Sequence, residues 1–287
     1  MRSRARLVLA LLALSLAGRA VLAQPADRSF TTSDGVHLHY LEAGPSAAHT
    51  IVLVPGWTMP AWIFQPQIAA FSRTWHVIAF DPRGQGASEI PLGGYEPVRR
   101  GQDIAELLDQ LGRQKVVLLG WSLGVLDSLA YVHTHGPDRL AGLVLIDNSI
   151  GEDPAPTGRH GAGPHRPFLS HEVGMRRFVA SMFLRPQPEA YLEALTEASL
   201  RTPLYASRAL LAYPVPRIYW REAVYMVHAP ILYVVRPNFA GQAGNLARHD
   251  PEAETVVLGG VGHAMFIDDA TGFNALVQDF LTRRVWR

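Results

Sequence analysis

Cysteine is absent from the 287 residues. That absence removes disulfides, thiolate metal sites, a cysteine nucleophile and a lipid-modified cysteine anchor. A charge of one sign is missing as well, since 26 Lys+Arg face 25 Asp+Glu. Four of the arginines (Arg2, Arg4, Arg6, Arg19) fall in the first 23 residues, leaving 22 basic against 25 acidic residues in the remainder. A body this near neutrality offers no electrostatic footprint for nucleic acid. No His-Glu-x-x-His spacing occurs, so metal catalysis loses its main support, and no Gly-x-Gly-x-x-Gly opens a helix after a strand, so a dinucleotide is not indicated. No cofactor or metal is expected. At 48% hydrophobic and 18% charged the composition is that of a globular protein, and a chain of this size buries a sufficient core without covalent staples.

The first 23 residues read as an address. Arg2, Arg4 and Arg6 precede an apolar run over residues 7–17, followed by Val21-Leu22-Ala23 before Gln24-Pro25. A basic start, a short apolar run and a small-residue site make a secretory signal peptide. The run is shorter than the roughly 18 residues a membrane span needs. Export to the periplasm or the exterior is therefore expected, with no stable membrane anchor once the leader is removed.

Past the leader, residues 36–41 alternate apolar and polar side chains as a half-buried strand does. His37 and His39 share one face there and read as decoration of a solvated strand. Continuous aliphatic runs at 51–54, 77–80, 116–119, 143–146, 231–235 and 255–258 fit strands buried on both faces, hence a parallel sheet covered by helices. Helical spacing at 61–71, 98–111, 123–133 and 271–281 completes an α/β alternation. The rhythm breaks between Asp147 and Ile231. Residues 151–167 are rich in Gly, Pro and His, and helical patterns follow at 173–183, 189–200, 204–212 and 220–227. This segment reads as a helical insertion, either a lid over the sheet or further sheet-covering helices. The expected organisation is a signal peptide at 1–23, a core at 24–150, a helical cap at 151–229 and the rest of the core at 230–287.

Chemistry concentrates at Gly120-Trp121-Ser122-Leu123-Gly124, between an aliphatic strand and a helical pattern. A sharp strand-to-helix turn there projects a serine hydroxyl above the sheet edge. Glycines on either side leave room for so tight a bend, and the helix that follows turns free N–H groups toward the same point. A serine hydroxyl needs a base to take its proton. Of the 12 histidines, His263 stands in a glycine-rich loop after the last strand, where open α/β sheets gather reactive groups.

These residues resemble the α/β-hydrolase superfamily, in its esterase, epoxide-hydrolase-like and haloperoxidase-like branch. The resemblance rests on Pro55-Gly56-Trp57, on Asp81-Pro82-Arg83-Gly84-Gln85-Gly86-Ala87-Ser88, on the serine turn and on Gly262-His263, in that order along residues 30–285. It implies a mostly parallel eight-stranded sheet with helices on both faces and a helical cap after strand 6. It also implies Ser122 as nucleophile, His263 as general base and the backbone N–H groups of Trp57 and Leu123 as oxyanion donors. Pro55 stands where the family usually has His, which bears on the fine geometry of that hole. In most relatives the triad acid follows the seventh strand, but residues 234–241 contain no Asp or Glu. Some members place it after the sixth strand, where this chain has Asp147; Asn238 is the alternative, a neutral orienter. Asp250 falls in an apparent linker, Asp268 and Asp269 suit the start of the final helix, and Asp127 suits packing on the helix after Ser122. A serine nucleophile argues against haloalkane dehalogenase and epoxide hydrolase, whose nucleophile is Asp.

The expected activity is hydrolysis of a small or medium carboxylic ester or lactone through an acyl-enzyme, with Phe168, Phe183, Tyr191, Tyr213, Trp220 and Tyr225 either shaping the acyl pocket or packing the insertion. The alternatives are a cofactor-free perhydrolase on the same triad and a non-catalytic small-molecule binder.

Overall fold

The computed structural model describes residues 24–112, 114–155 and 170–287. The leader, most of the Gly/Pro/His-rich connection, and Phe168 with it, lie outside the described residues. Eight strands form one sheet: Ala26–Thr31 (β1), His37–Ala43 (β2), Thr50–Val54 (β3), His76–Asp81 (β4), Val116–Trp121 (β5), Leu140–Ile146 (β6), Ile231–Val235 (β7) and Glu254–Val257 (β8). Their order is β1-β2-β4-β3-β5-β6-β7-β8. The first two strands join antiparallel, and the pairs from β4 to β8 are parallel.

The aliphatic runs explain this sheet. In β3, Val52 and Val54 belong to one core while Ile51 and Leu53 belong to the other. Period-two alternation thus feeds both faces at once, which is why no polar residue interrupts the run. Complete burial of each such side chain stabilises the fold by roughly 1.5–3 kcal/mol. One face is covered by Pro97–Gln110 (α2) and Leu123–His135 (α3), through Ile104, Leu107, Leu126 and Ala130. The other is covered by Gln65–Phe71 (α1) and by Ala270–Phe280, through Ile68, Phe71, Phe273 and Val277.

Four helices between β6 and β7 form the insertion: His171–Ser181 (α4), Glu189–Leu200 (α5), Leu204–Leu210 (α6) and Arg217–Met226 (α7). They divide between the two cores. Met175, Val179 and Leu195 of α4 and α5 join the face of α1, whereas Ala206, Leu210, Trp220 and Val224 of α6 and α7 join the face of α3. The insertion therefore bridges the sheet from face to face, being cap and sheet cover at once. After β7 comes Ala240–His249 (α8), then β8, a short turn of helix Met265–Asp268 (α9) and the final helix Ala270–Phe280 (α10). Among the described residues no helix is long and apolar enough to cross a membrane.

Three details differ from the sequence reading. The edge strand β1 has no aliphatic run, because it is exposed apart from half-buried Ala26 and buried Phe30. The segment read as a linker before β8 is the helix α8, whose Gly241 and Gly244 dilute its apolar stripe. His39 is no solvated decoration. Its Nδ1 lies 2.8 Å from Asp81 Oδ2 and its Nε2 lies 3.0 Å from Asp27 Oδ1, while His37 is exposed, its Nδ1 lying 2.9 Å from the Thr31 hydroxyl.

The hydrogen bond that His39 donates to the Asp81 carboxylate raises the His39 pKa above its ordinary 6.5, against the opposing effect of burial. A pKa raised in the folded state stabilises the protein fully below the unfolded value and loses that effect as pH climbs through the folded one. The urea midpoint of His39→Gln should accordingly fall furthest below wild type at pH values under 6.5. The two curves should converge in the alkaline range, and a pH-independent gap would contradict the pairing.

Candidate active site

Parallel pairing delivers the chemistry. Trp121 at the end of β5 pairs with Ile146 at the end of β6, and Ile146 pairs with Val234 of β7. Ser122, Asp147 and Arg236 therefore emerge along one edge of the sheet at strand spacings of about 4.8 Å. The loop after β8 brings His263 to the same edge. His263 Nε2 lies 2.8 Å from Ser122 Oγ, and its Nδ1 lies 2.6 Å from Asp147 Oδ2. All three residues form one continuous hydrogen-bonded chain. The Asp147 side chain is fully buried, while 20% of the His263 side chain remains exposed.

The local backbone is unusual. Among the described residues three non-glycine residues have positive φ: Thr58 at 59°, Ser122 at 55° and Asp147 at 50°. All three belong to this site, and each such conformation costs of order 1–3 kcal/mol that surrounding structure must offset. Around Ser122 the offset is visible. Its N–H donates to the Ile146 carbonyl (2.9 Å), and its own carbonyl accepts from Asn148 Nδ2 (2.7 Å). A Cβ on Gly120 would sit 2.3 Å from the Gly124 carbonyl oxygen, and one on Gly124 would sit 2.2 Å from the Val54 carbonyl oxygen. The turn between strand and helix is thus open to glycine alone at both positions.

Burial pushes the Asp147 carboxyl upward, but the hydrogen bond and charge of His263, with help from Arg236, bring its pKa below the usual carboxylate value. Arg236 donates to Asp147 twice, from its backbone N–H to Oδ1 (3.0 Å) and from Nε to Oδ2 (2.6 Å). Asn238 is exposed on the short turn Pro237–Phe239. Asp250 ends α8, accepting from the Glu252 N–H, and Asp127 is buried 2.8 Å from Arg100. Asp269 caps α10, but Asp268 does something the sequence reading did not anticipate. Its buried carboxylate accepts from the N–H groups of Gly262 (2.6 Å), Leu184 (2.7 Å) and Arg185 (3.2 Å). It ties the histidine loop to the turn after α4.

The N–H of Leu123 opens α3 and has no intrahelical acceptor. Trp57 follows Gly56, whose missing Cβ would lie 3.0 Å from the Ser122 Cβ. This loop is held by the Asp81–Ser88 motif, to which the sequence reading gave no role. Gln85 Oε1 accepts from the Thr58 N–H and Asp81 Oδ1 from the Ala61 N–H, both at 2.5 Å. Fully buried Arg83 anchors the motif through paired bonds to Asp103. The indole of Trp57 donates to the Ser207 carbonyl of α6 (2.7 Å), linking loop and insertion.

The aromatic residues divide. Phe178 of α4, unremarked in the sequence, meets the Trp57 ring edge-on at 4.9 Å. Phe183 and Tyr191 pack against each other, with Trp62 beside Tyr191. Trp220 is buried in the core shared with α3, with Tyr213 on its edge, and Tyr225 binds Glu152.

The family model described as the alpha/beta hydrolase fold matches residues 49–231, and the chain belongs to that superfamily, in its esterase, epoxide-hydrolase and haloperoxidase-like branch. It is 34% identical over 117 residues to a non-heme chloroperoxidase of Streptomyces lividans, covering 40% of this chain and 42% of that protein. To a soluble epoxide hydrolase of Corynebacterium sp. it is 30% identical over 176 residues, covering 56% and 61%. The chain thus spans about half the length of these curated relatives. The solved structure of the esterase RhEst1 from Rhodococcus sp. superposes with a TM-score of 0.75 at 23% identity, covering 89% of this chain and 98% of that one. That likeness is one of fold.

Crowding at the serine turn yields a contrast between two glycines. Gly124→Ala should lower stability by about 3 kcal/mol in urea unfolding, because a backbone carbonyl cannot move aside. Gly174→Ala, on α4 with nothing within 4 Å of the added methyl, should raise it by roughly 0.5–1 kcal/mol. Equal effects would contradict the packing described.

Proposed function

We propose that this hydrolase-family chain is a serine hydrolase that cleaves a small or medium carboxylic ester or lactone through an acyl-enzyme. The observation that carries the reading is the unbroken run of hydrogen bonds from Ser122 Oγ through the imidazole of His263 to Asp147. In this mechanism His263 Nε2 takes the Ser122 proton as Oγ attacks the acyl carbon. Asp147 holds the imidazole in the tautomer that leaves Nε2 unprotonated, then stabilises the imidazolium. The N–H groups of Leu123 and Trp57 receive the oxyanion, a contribution of several kcal/mol to barrier lowering. His263 next protonates the departing alcohol. Water, deprotonated by the same nitrogen, attacks the acyl-enzyme and releases the acid with Ser122 restored.

A second reading has one specific support, the similarity to a protein named as a chloroperoxidase. With hydrogen peroxide attacking in place of water, the same acyl-enzyme, formed from an ester with loss of the alcohol or from a carboxylic acid with loss of water, would give a peracid and restore Ser122. Assaying ester hydrolysis against peracid formation separates the two.

Turnover of a short-chain nitrophenyl ester tests the triad. Asp147→Asn should lose on the order of 10⁴ in kcat, the loss known for this change in a serine triad. Asn238→Ala and Asp250→Asn should stay near wild type. Full activity in Asp147→Asn would remove that residue from the mechanism.

Residues 1–23 are proposed to direct export to the periplasm or the exterior. Expressed in a bacterial host, the protein recovered outside the cytosol should begin at Gln24. Full-length chain confined to the cytosol would overturn the assignment.

A further inference from the structure

The seat from which most relatives supply the triad acid, just past the seventh strand, holds a cation here. Arg236 is the first residue after β7, and β7 is the neighbour of β6 with Ile146 opposite Val234, so Arg236 leaves its strand one residue beyond the level of Asp147 and turns back onto it. Its backbone N–H and its side chain reach the same carboxylate from one direction. Oδ1 of Asp147 accepts the backbone N–H at 3.0 Å. Oδ2 accepts Nε at 2.6 Å and shares its remaining capacity with His263 Nδ1 at 2.6 Å. The edge of the guanidinium continues past the carboxylate to the imidazole, with Nη2 3.4 Å from His263 Nδ1.

We propose that Arg236 is a positioning residue for the general base, clamping Asp147 so that Oδ2 stays aligned with the Nδ1–H of His263. The inference rests on the serine-hydrolase reading for its effect on turnover, though not for the clamp itself. A carboxylate on a two-torsion side chain, held at a strained positive φ, has freedom to rotate its oxygens away from the imidazole. A backbone donor on one oxygen fixes a single point. Nε of the planar guanidinium fixes the second, so that the two donors together set the plane of the carboxylate, and a lysine ammonium, as a point charge on a flexible stem, does not hold that direction. Charge supplies a further reason. The Asp147 side chain is wholly removed from water, and an ionised carboxylate there requires donors to both oxygens. Arg236 delivers one to each, and His263 remains free to cycle between neutral and cationic forms while the acid stays anionic.

The side chain of Arg236 is 31% exposed and its backbone donor survives replacement by alanine or lysine, so the side-chain half of the clamp can be removed without emptying the core. Arg236→Ala and Arg236→Lys are compared with wild type for kcat and KM on a nitrophenyl ester and for urea midpoint. Each variant is also examined by proton NMR for the strongly deshielded resonance of the His263 Nδ1–H held by Asp147. Arg236→Ala should lose about 10- to 100-fold in kcat, the scale on which partners of a site's own residues act, with KM little changed. Arg236→Lys should recover only a minor part. Ethylguanidinium, which refills the fork, should restore turnover in Arg236→Ala and leave wild type unaffected, and the deshielded resonance should vanish in Arg236→Ala and return with it. An unchanged resonance together with unchanged kcat in Arg236→Ala overturns the proposal. So does a loss that tracks only a fall in urea midpoint and is not rescued. If wild type cleaves no ester while the resonance responds as stated, the hydrolase reading fails and the clamp stands.

Discussion

Everything at this site depends on the register of three neighbouring parallel strands. Because Trp121, Ile146 and Val234 lie abreast, Ser122 and Asp147 leave the sheet side by side, and Arg236 follows one residue further along β7. A serine, an aspartate and an arginine become neighbours although more than a hundred residues separate the first from the last. Slipping one strand by a single residue would turn its side chain to the opposite face. The aliphatic runs prevent this, since each strand must present matching apolar residues to both cores. Hydrophobic burial, which is non-directional, thereby brings these donors and acceptors to hydrogen-bond distance.

That rigidity sustains conformations the chain would otherwise avoid. Thr58, Ser122 and Asp147 together store several kcal/mol of backbone strain. Each is held from outside: Thr58 by Gln85, Ser122 by Ile146 and Asn148, Asp147 by the N–H donated to the Val234 carbonyl and by Arg236. The insertion joins the same network. Ser207 accepts from the Trp57 indole, and Asp268 binds Gly262 and the turn after α4 together. The insertion is consequently fastened both to the loop beside Ser122 and to the loop carrying His263.

Much of this was legible in the residues. Continuous aliphatic runs announced six of the eight strands and apolar–polar alternation a seventh, and Gly120-x-Ser122-x-Gly124 with Gly262-His263 marked two members of the hydrogen-bonded chain. Asp147 was legible only because residues 234–241 lack an acid, which turned attention to the strand before. Strand β1 escaped because an exposed edge strand carries no apolar pattern. Helix α8 escaped because its glycines thin the stripe that periodicity detects. Arg236, Asp268 and Gln85 were out of reach for another reason: each acts on a partner 27 to 89 positions away or on a backbone N–H, and no local pattern encodes such a pairing. The aromatic residues of the insertion show the same limit. Composition marked Trp220 and Tyr225, whereas the ring that meets Trp57 is Phe178.

The most direct test of the central claim, that the Ser122 hydroxyl carries the acyl group, is to trap that group. Protein mixed with an activated ester and acid-quenched within the first turnover is weighed intact and then mapped by peptide mass spectrometry. The account predicts the mass of one acyl group, located on the peptide containing Ser122 and absent from Ser122→Ala. Rapid ester cleavage with no adduct at Ser122, or an adduct on another side chain, would contradict it.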